Sequence, residues 1–214
     1  MHQTVDLKVL YFGTPVVLIS TRNEDGTANL APMSSAWWLG QTCVLGLGRR
    51  WKTTENLRRE RECVVNLVPS SLAEPVDRLA LLTGQREVWP RAVARGYRYE
   101  PDKFAAAGLT PQRSETVAPP RVAECPIQLE CTVVDFHPID GPEAPASAIE
   151  VSVRRTHVDP GLLIPGTAYV DPDRWDPLIM KFCEFFGGGH SLQPSRLAAG
   201  WAMPHATAAA AHTP

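Results

Sequence analysis

The sequence predicts a mainly β chain, built as a six-stranded antiparallel barrel with helices added at its ends. Three observations carry that expectation. Short apolar runs rich in β-branched residues follow one another with turn signals between them. Twenty prolines and fifteen glycines suit many short strands and loops better than a helical bundle. The alternation of strands and helices is too sparse for a parallel sheet built from βαβ units.

The elements follow in order. Residues 15–21, Pro-Val-Val-Leu-Ile-Ser-Thr, read as a buried strand. Asp25-Gly26 marks a tight turn, because glycine supplies the positive φ a hairpin needs. A second strand is expected from Ala28 to Trp38 and a third over residues 43–47. Residues 53–62 read as a short helix with Thr53 as N-cap, Glu55 in the first turn and Leu57 as its apolar anchor. A fourth strand over 63–68 stops at Pro69. A second helix, capped by Ser70 or Ser71, is expected to run to Leu82 on the spacing of Leu72, Val76, Leu79 and Leu82. Residues 83–125 read as a long excursion over the barrel surface, with one helical piece from Pro101 to Ala107 stopped at Gly108. Two alternating strands are expected over 127–136 and 149–158, joined by a loop at Asp140-Gly141. Residues 177–186 carry Leu178, Phe182, Phe185 and Phe186 at helical spacing, and Gly187-Gly188-Gly189 ends that segment. Residues 1–200 are expected to form one domain, and the Ala- and His-rich tail 201–214 to be disordered.

Composition excludes several classes. A formal net charge of −2 gives no field for coating nucleic acid or an anionic membrane. No stretch is apolar and long enough to span a bilayer, and residues 1–8 lack the layout of a signal peptide. Five cysteines without a C-x-x-C pair speak for buried, reduced thiols in a cytoplasmic protein rather than zinc ligands or a disulfide framework. Asp171, Asp173 and Asp176 do not match a calcium loop, and no triad signature is present. No metal site and no catalytic side chain are expected.

Two segments can carry chemistry. In the first, Asn29 to Trp38, the residues Ala31, Pro32, Met33, Ser34 and Ser35 interrupt a strand. Proline there removes a ladder donor and implies an edge or bulge, where free backbone groups can meet a flat heteroaromatic ring. The plain alternative is an edge strand with solvated serines. In the second, Gly48-Arg49-Arg50-Trp51-Lys52-Thr53 leads from a strand into a helix that also carries Asn56. Free N–H groups at a helix start, hydroxyl donors and nearby cations are what phosphate binding requires. The segment is neither a Walker A loop nor a Rossmann fingerprint, and a capped surface helix is its plain alternative. Of the histidines, His137, His157, His205 and His212 read as structural or exposed. His190, after the triple glycine, is kept as a site candidate.

In order along the chain, these pieces resemble the flavin-reductase-like domain family. The resemblance rests on Pro15 to Thr21, Asp25-Gly26, Asn29-Leu30-Ala31-Pro32 with the following serines, and Lys52-Thr53-Thr54-Glu55-Asn56-Leu57. It continues through residues 62–67 (Glu-Cys-Val-Val-Asn-Leu), 103–111 (Lys-Phe-Ala-Ala-Ala-Gly-Leu-Thr-Pro), 120–126 and Leu129-Glu130-Cys131. It implies a six-stranded antiparallel split barrel of Greek-key type and a homodimer with FMN at the subunit interface. It places Ala31 to Ser35 against the flavin rings. Gly48, Arg49, Lys52, Thr53 and Asn56 would hold the phosphate. The activity implied is an NAD(P)H-dependent flavin reductase feeding a partner oxygenase or another electron acceptor. FAD in place of FMN, an FMN redox carrier without nicotinamide activity, and a flavin-free dimeric interaction module stay open. The sequence departs from compact members in its bulky, basic Arg49-Arg50-Trp51 and its long segment 83–99.

Overall fold

Seven antiparallel strands roll into one curved sheet. They are β1 (Val17–Arg22), β2 (Ala28–Met33), β3 (Ala36–Leu39), β4 (Thr42–Gly48), β5 (Glu62–Leu67), β6 (Ile127–Ile139) and β7 (Ala146–Val158). The computed structural model describes residues 2–139, 141, 145–193 and 195–205. The strand order is β2-β1-β5-β6-β7-β4-β3. The chain crosses from β2 to the far edge of the sheet and returns at β5 beside β1, a Greek-key path. Because β2 and β3 follow one another in sequence yet sit at opposite edges, the sheet must close on itself. Only Ser34-Ser35 joins them, and Gly46 N donates to Ser35 O at 2.7 Å, extending the β3–β4 ladder by one rung. The barrel is therefore split along the seam between β2 and β3.

The second strand expected over 28–38 is two strands, which turns the six expected into seven. Pro32 removes a donor, and the two serines bend the chain from one edge to the other. Strand β1 is buried on both faces, which explains its unbroken apolar run. Val17 and Ile19 face the barrel core with Leu45, Leu47, Val65 and Ile149. Val16 and Leu18 face a second core.

That second core revises the reading of residues 83–125 as a surface excursion. Phe104, Leu109, Val122 and Cys125 from this stretch, with Leu82 just before it, are buried beneath helix α2 (Ala73–Leu79) and against the outer face of the sheet. The helical piece is α4 (Lys103–Ala107), capped by Asp102 Oδ1 accepting from Ala105 N and ended by Gly108 at φ 68°. Helix α1 (Lys52–Glu60) precedes these, and α3 (Pro90–Val93) lies between α2 and α4.

Other expectations are corrected. Helix α1 begins one residue before Thr53, and its N-cap is Trp51, not Thr53. The helix expected from Ser70 to Leu82 is a 3-10 turn (Ser70–Leu72) followed by α2, with no side-chain cap from either serine. Leu82 has left the helix for a short strand beside Arg98-Tyr99. The helix expected over 177–186 is a hairpin of Ile179–Lys181 and Glu184–Phe186, whose outer partner is Thr14-Pro15. Its two turn residues, Phe182 and Cys183, have φ of 48° and 68°, the paired positive values of a two-residue hairpin loop. Cys183 is exposed, whereas Cys43, Cys63, Cys125 and Cys131 are buried free thiols as expected. A last short helix, α5 (Arg196–Gly200), precedes the C-terminal tail. Most of the tail expected to be disordered, residues 206–214, and Asp140 of the expected loop lie outside the described residues. No helix among the described residues is long and apolar enough to cross a membrane.

Candidate flavin site

The two segments singled out in the sequence lie beside the split between the edge strands β2 and β3, joined by the Asn29–Thr53 hydrogen bond and the Gly46–Ser35 contact. Strand β2 pairs only with β1, so its outer edge is open, and Pro32 sits where no ladder partner is required. Ala31, Pro32, Met33 and Ser34 are half-buried along this edge, and Ser35 is exposed. A Cβ on Gly46 would come within 2.8 Å of the Ser35 Cβ, so glycine alone lets the end of β4 approach the serines this closely.

Alternation along β2 turns Asn29 toward the barrel, opposite Thr21. That polar pair caps one end of the apolar core and anchors α1. Asn29 Nδ2 donates to Thr53 Oγ1 at 3.1 Å and to Thr21 Oγ1 at 3.2 Å. Asn56 Nδ2 donates to Thr21 Oγ1 at 3.0 Å and to Asn23 Oδ1 at 2.9 Å. Thr53 and Asn56 are both buried, so their side chains hold the helix against the sheet. What Thr53 offers a ligand is its backbone N–H.

The helix start combines N–H groups with nearby cations. Trp51, the N-cap, makes no side-chain capping bond, leaving the first-turn N–H groups without a side-chain acceptor. Thr54 Oγ1 donates to Gly48 O at 2.8 Å and ties the preceding loop to the helix. The Trp51 indole lies over Gly48, where a Cβ would fall 2.5 Å from the ring. Lys52 Nζ stands 3.7 Å from Glu55 Oε2. Arg49 is half-buried in the same loop.

Two features missed by the sequence reading lie between these segments. Asn29 Oδ1 is buried with no hydrogen-bond partner among the described residues. Gly84 closes over it, and a Cβ there would meet Asn29 Oδ1 at 2.7 Å and Lys52 Cγ at 2.9 Å. A buried asparagine opposite a threonine on an otherwise apolar strand face was the available signal. Gly84 carried none, since its partners are distant in sequence. A third missed residue is Lys103 on α4, the helix packed against β2. Its amine is almost fully buried, and burial lowers its pKa to about 8 although Glu100 pulls the other way.

Hydrogen bonds join Thr53 of α1 to Asn29 of β2 and Asn56 to Thr21 of β1, and Ser35 lies against Gly46 of β4. The glycines before His190 are held by Ser70 and Asp176: Gly188 N donates to Asp176 Oδ1 at 2.8 Å, and Gly187 abuts the Ser70 side chain. Ser70 follows the Leu67 end of β5, the end at which Met33 pairs with Val17, whereas α1 is tied to Thr21 at the opposite end of β1. His190 itself is exposed.

Fold and seam define a split-barrel protein, and comparison with known proteins agrees. Residues 9–169 match the flavin reductase like domain, and the chain belongs to that family. An uncharacterized protein of Bacillus subtilis (strain 168), YdfE, is 38% identical over 185 residues, covering 86% of this chain and 88% of its own. Flavoredoxin of Desulfovibrio vulgaris (Miyazaki F) superposes with a TM-score of 0.74 at 20% identity, over 93% of this chain and 100% of its own. Nitrilotriacetate monooxygenase component B from Bacillus cereus does so at 0.71 and 20% identity, over 86% and 88%. The styrene monooxygenase flavin reductase of Pseudomonas putida S12 gives 0.58 at 14% identity, over 85% and 95%.

Proposed function

We propose that this protein binds FMN at the β2–β3 seam and reduces it with NAD(P)H. One observation carries the reading: a buried acceptor without a donor, Asn29 Oδ1, lies between an open strand edge and an uncapped, cationic helix start. An unpartnered buried carbonyl costs about 1–3 kcal/mol, so a donor is wanted there. The hydroxyl-bearing chain of FMN supplies donors at the right place between ring and phosphate. The residues present therefore fit the group, which when bound supplies the hydride-accepting ring.

The chain's own residues bind and orient. The first-turn N–H groups of α1, with Lys52 and Arg49, hold the phosphate. The open edge of Ala31 to Met33 meets the ring with backbone groups, and Ser34 and Ser35 donate to its polar rim. Donors aimed where negative charge grows favour the reduced state. No side chain is required as acid or base. A homodimer, a cytoplasmic location and a partner oxygenase complete the reading; the last is supported by the names of the monooxygenase components that share the fold. The likeness to a flavoredoxin supports a second reading, an FMN redox carrier that takes no hydride from nicotinamide.

Visible absorption of the purified protein with added FMN, before and after NADH or NADPH, separates the readings. The expected result is flavin uptake followed by bleaching within turnover time. Uptake without bleaching by either nucleotide selects the carrier, and failure to take up FMN or FAD removes both. Lys52→Ala is expected to weaken FMN by about 1.5–3 kcal/mol, roughly 10–150-fold in Kd, the value of a charged hydrogen bond. Fluorescence titration reads that change.

A further inference from the structure

Segment 84–99 is not accounted for by flavin binding. It holds four arginines (Arg86, Arg91, Arg95 and Arg98) against a single carboxylate, Glu87, in a chain whose net charge is −2. Only Arg98 has an ion-pair partner among the described residues, Glu100 at 3.8 Å. The segment is fastened to the phosphate cradle. Gln85 Nε2 donates to Arg50 O at 2.7 Å and to Glu55 Oε1 at 2.8 Å, and Gly84 rests on Lys52. Directly outward of that clasp, the Arg50 guanidinium lies 5.6 Å from the centre of the Trp89 ring. Trp89 and Trp51 leave 46% and 51% of their surfaces exposed, far more than packing requires of tryptophan. Flat aromatic faces and guanidinium groups in excess of carboxylates thus lie beyond a cradle suited to one phosphate.

We propose that Arg50, Trp89 and the arginines of segment 84–99 form a subsite for the adenosine-phosphate half of a dinucleotide. It lies outward of the start of α1 and rests on the flavin-site reading for its neighbour. A purine stacks on an indole face, and a guanidinium beside it meets phosphate. Charge complementarity selects this occupant over an apolar partner surface. The adenosine phosphate comes either from FAD, continuing past the flavin phosphate, or from the nicotinamide nucleotide.

The test compares wild type with Trp89→Ala and Arg91→Ala, both in segment 84–99 and outside the FMN cradle. Titration with FMN, FAD and 2′,5′-ADP gives three dissociation constants for each protein, and light scattering gives the mass. The FMN constant is expected to stay within about twofold, while one adenosine-phosphate probe weakens about tenfold, the worth of one stacked base. Weakening of FAD assigns the subsite to the flavin's own adenylate; weakening of 2′,5′-ADP alone assigns it to the nicotinamide nucleotide. Equal loss for FMN and the other probes, no loss for any, or a change of mass without a change in binding overturns the proposal. A wild type that binds 2′,5′-ADP through these residues yet takes up no flavin leaves the subsite standing and removes the flavin reading. A wild type that binds none of the three removes both.

Discussion

Glu130 shows how one residue holds the covering segment in place. Its side chain is fully buried. The carboxylate accepts from Glu115 N at 2.8 Å, Thr116 N at 2.6 Å and Thr116 Oγ1 at 2.5 Å, and pairs with His157 Nε2 at 2.8 Å. Burial alone would raise its pKa; the hydrogen bonds from Thr116, Glu115 and His157 outweigh it and hold the group at about 2. An unfolded glutamate titrates near ~4.3, so the folded state gains stability that is fully present above that pH. The gain drains away as pH falls toward 2. Glu130→Gln is expected to cost about 3 kcal/mol at neutral pH, roughly two pKa units at ~1.4 kcal/mol each. Urea unfolding at neutral pH and near the folded pKa checks it, because the gap between variant and wild type must shrink in acid; an unchanged gap means that the charge contributes nothing. In the sequence, Glu130 is merely a polar position on an alternating strand. Its partners at 115, 116 and 157 are separated from it by loops and a hairpin, and local pattern cannot announce them.

At the scale of elements, legibility followed the range of the forces involved. Strands β1, β4, β5, β6 and β7 were read nearly to their ends, because β-branched runs and alternation are local signals. Helix α4 was read with its stop at Gly108, since a left-handed C-cap is written in the residue itself. The hairpin at Ile179–Phe186 was misread as a helix because Phe182-Cys183 replaces the Asn-Gly that such a turn favours, while the apolar spacing imitates a helix face. That turn holds two side chains in the left-handed region, which costs roughly 1–2 kcal/mol per residue. Cys183→Gly is accordingly expected to raise stability by about 1 kcal/mol, read as a rise in Tm; a fall means that the exposed thiol makes a contact that offsets the backbone. At the seam the expectation reverses. Gly84→Ala drives a Cβ into Asn29 and Lys52, so flavin affinity should drop about tenfold, with a stability loss of about 1–3 kcal/mol from overpacking.

The whole molecule is two cores on one sheet, and the buried thiols in both set its response to alkali. Cys63 and Cys131 face each other across β5 and β6, and Cys43 lies in the same barrel core. Cys125 belongs to the second core, whose contributors are so scattered in sequence that residues 83–125 read only as a long connection. Burial, then the nearby Cys131, pushes the Cys43 thiol up to about 12. Burial raises Cys125, and a hydrogen bond with Cys131, then burial, raises Cys63. An unfolded thiol ionises near ~8.5, so each contributes stability that is intact below that pH and is lost as pH climbs toward the folded value. Lys103 acts in the opposite sense. Its folded pKa near 8 lies below the unfolded ~10.4, so deprotonation in the folded state adds stability between those values. Three thiols against one amine decide the balance. Near pH ~10.5 the Cys43 thiol has forfeited about 3 kcal/mol, roughly what the amine has returned, and Cys63 and Cys125 add loss in the same direction, so the net effect is destabilising. Tm should therefore hold level from neutrality to about pH 8 and then fall steeply. Cys43→Ala should flatten that fall even if it lowers Tm at neutrality, because it removes one ionising group. Lys103→Met should steepen it while raising Tm at neutrality, because the buried charge is gone where it is most costly. A Tm that stays level through pH ~10.5 in the wild type would mean that the buried thiols ionise no harder than free ones, and that neither core excludes water as tightly as its packing indicates.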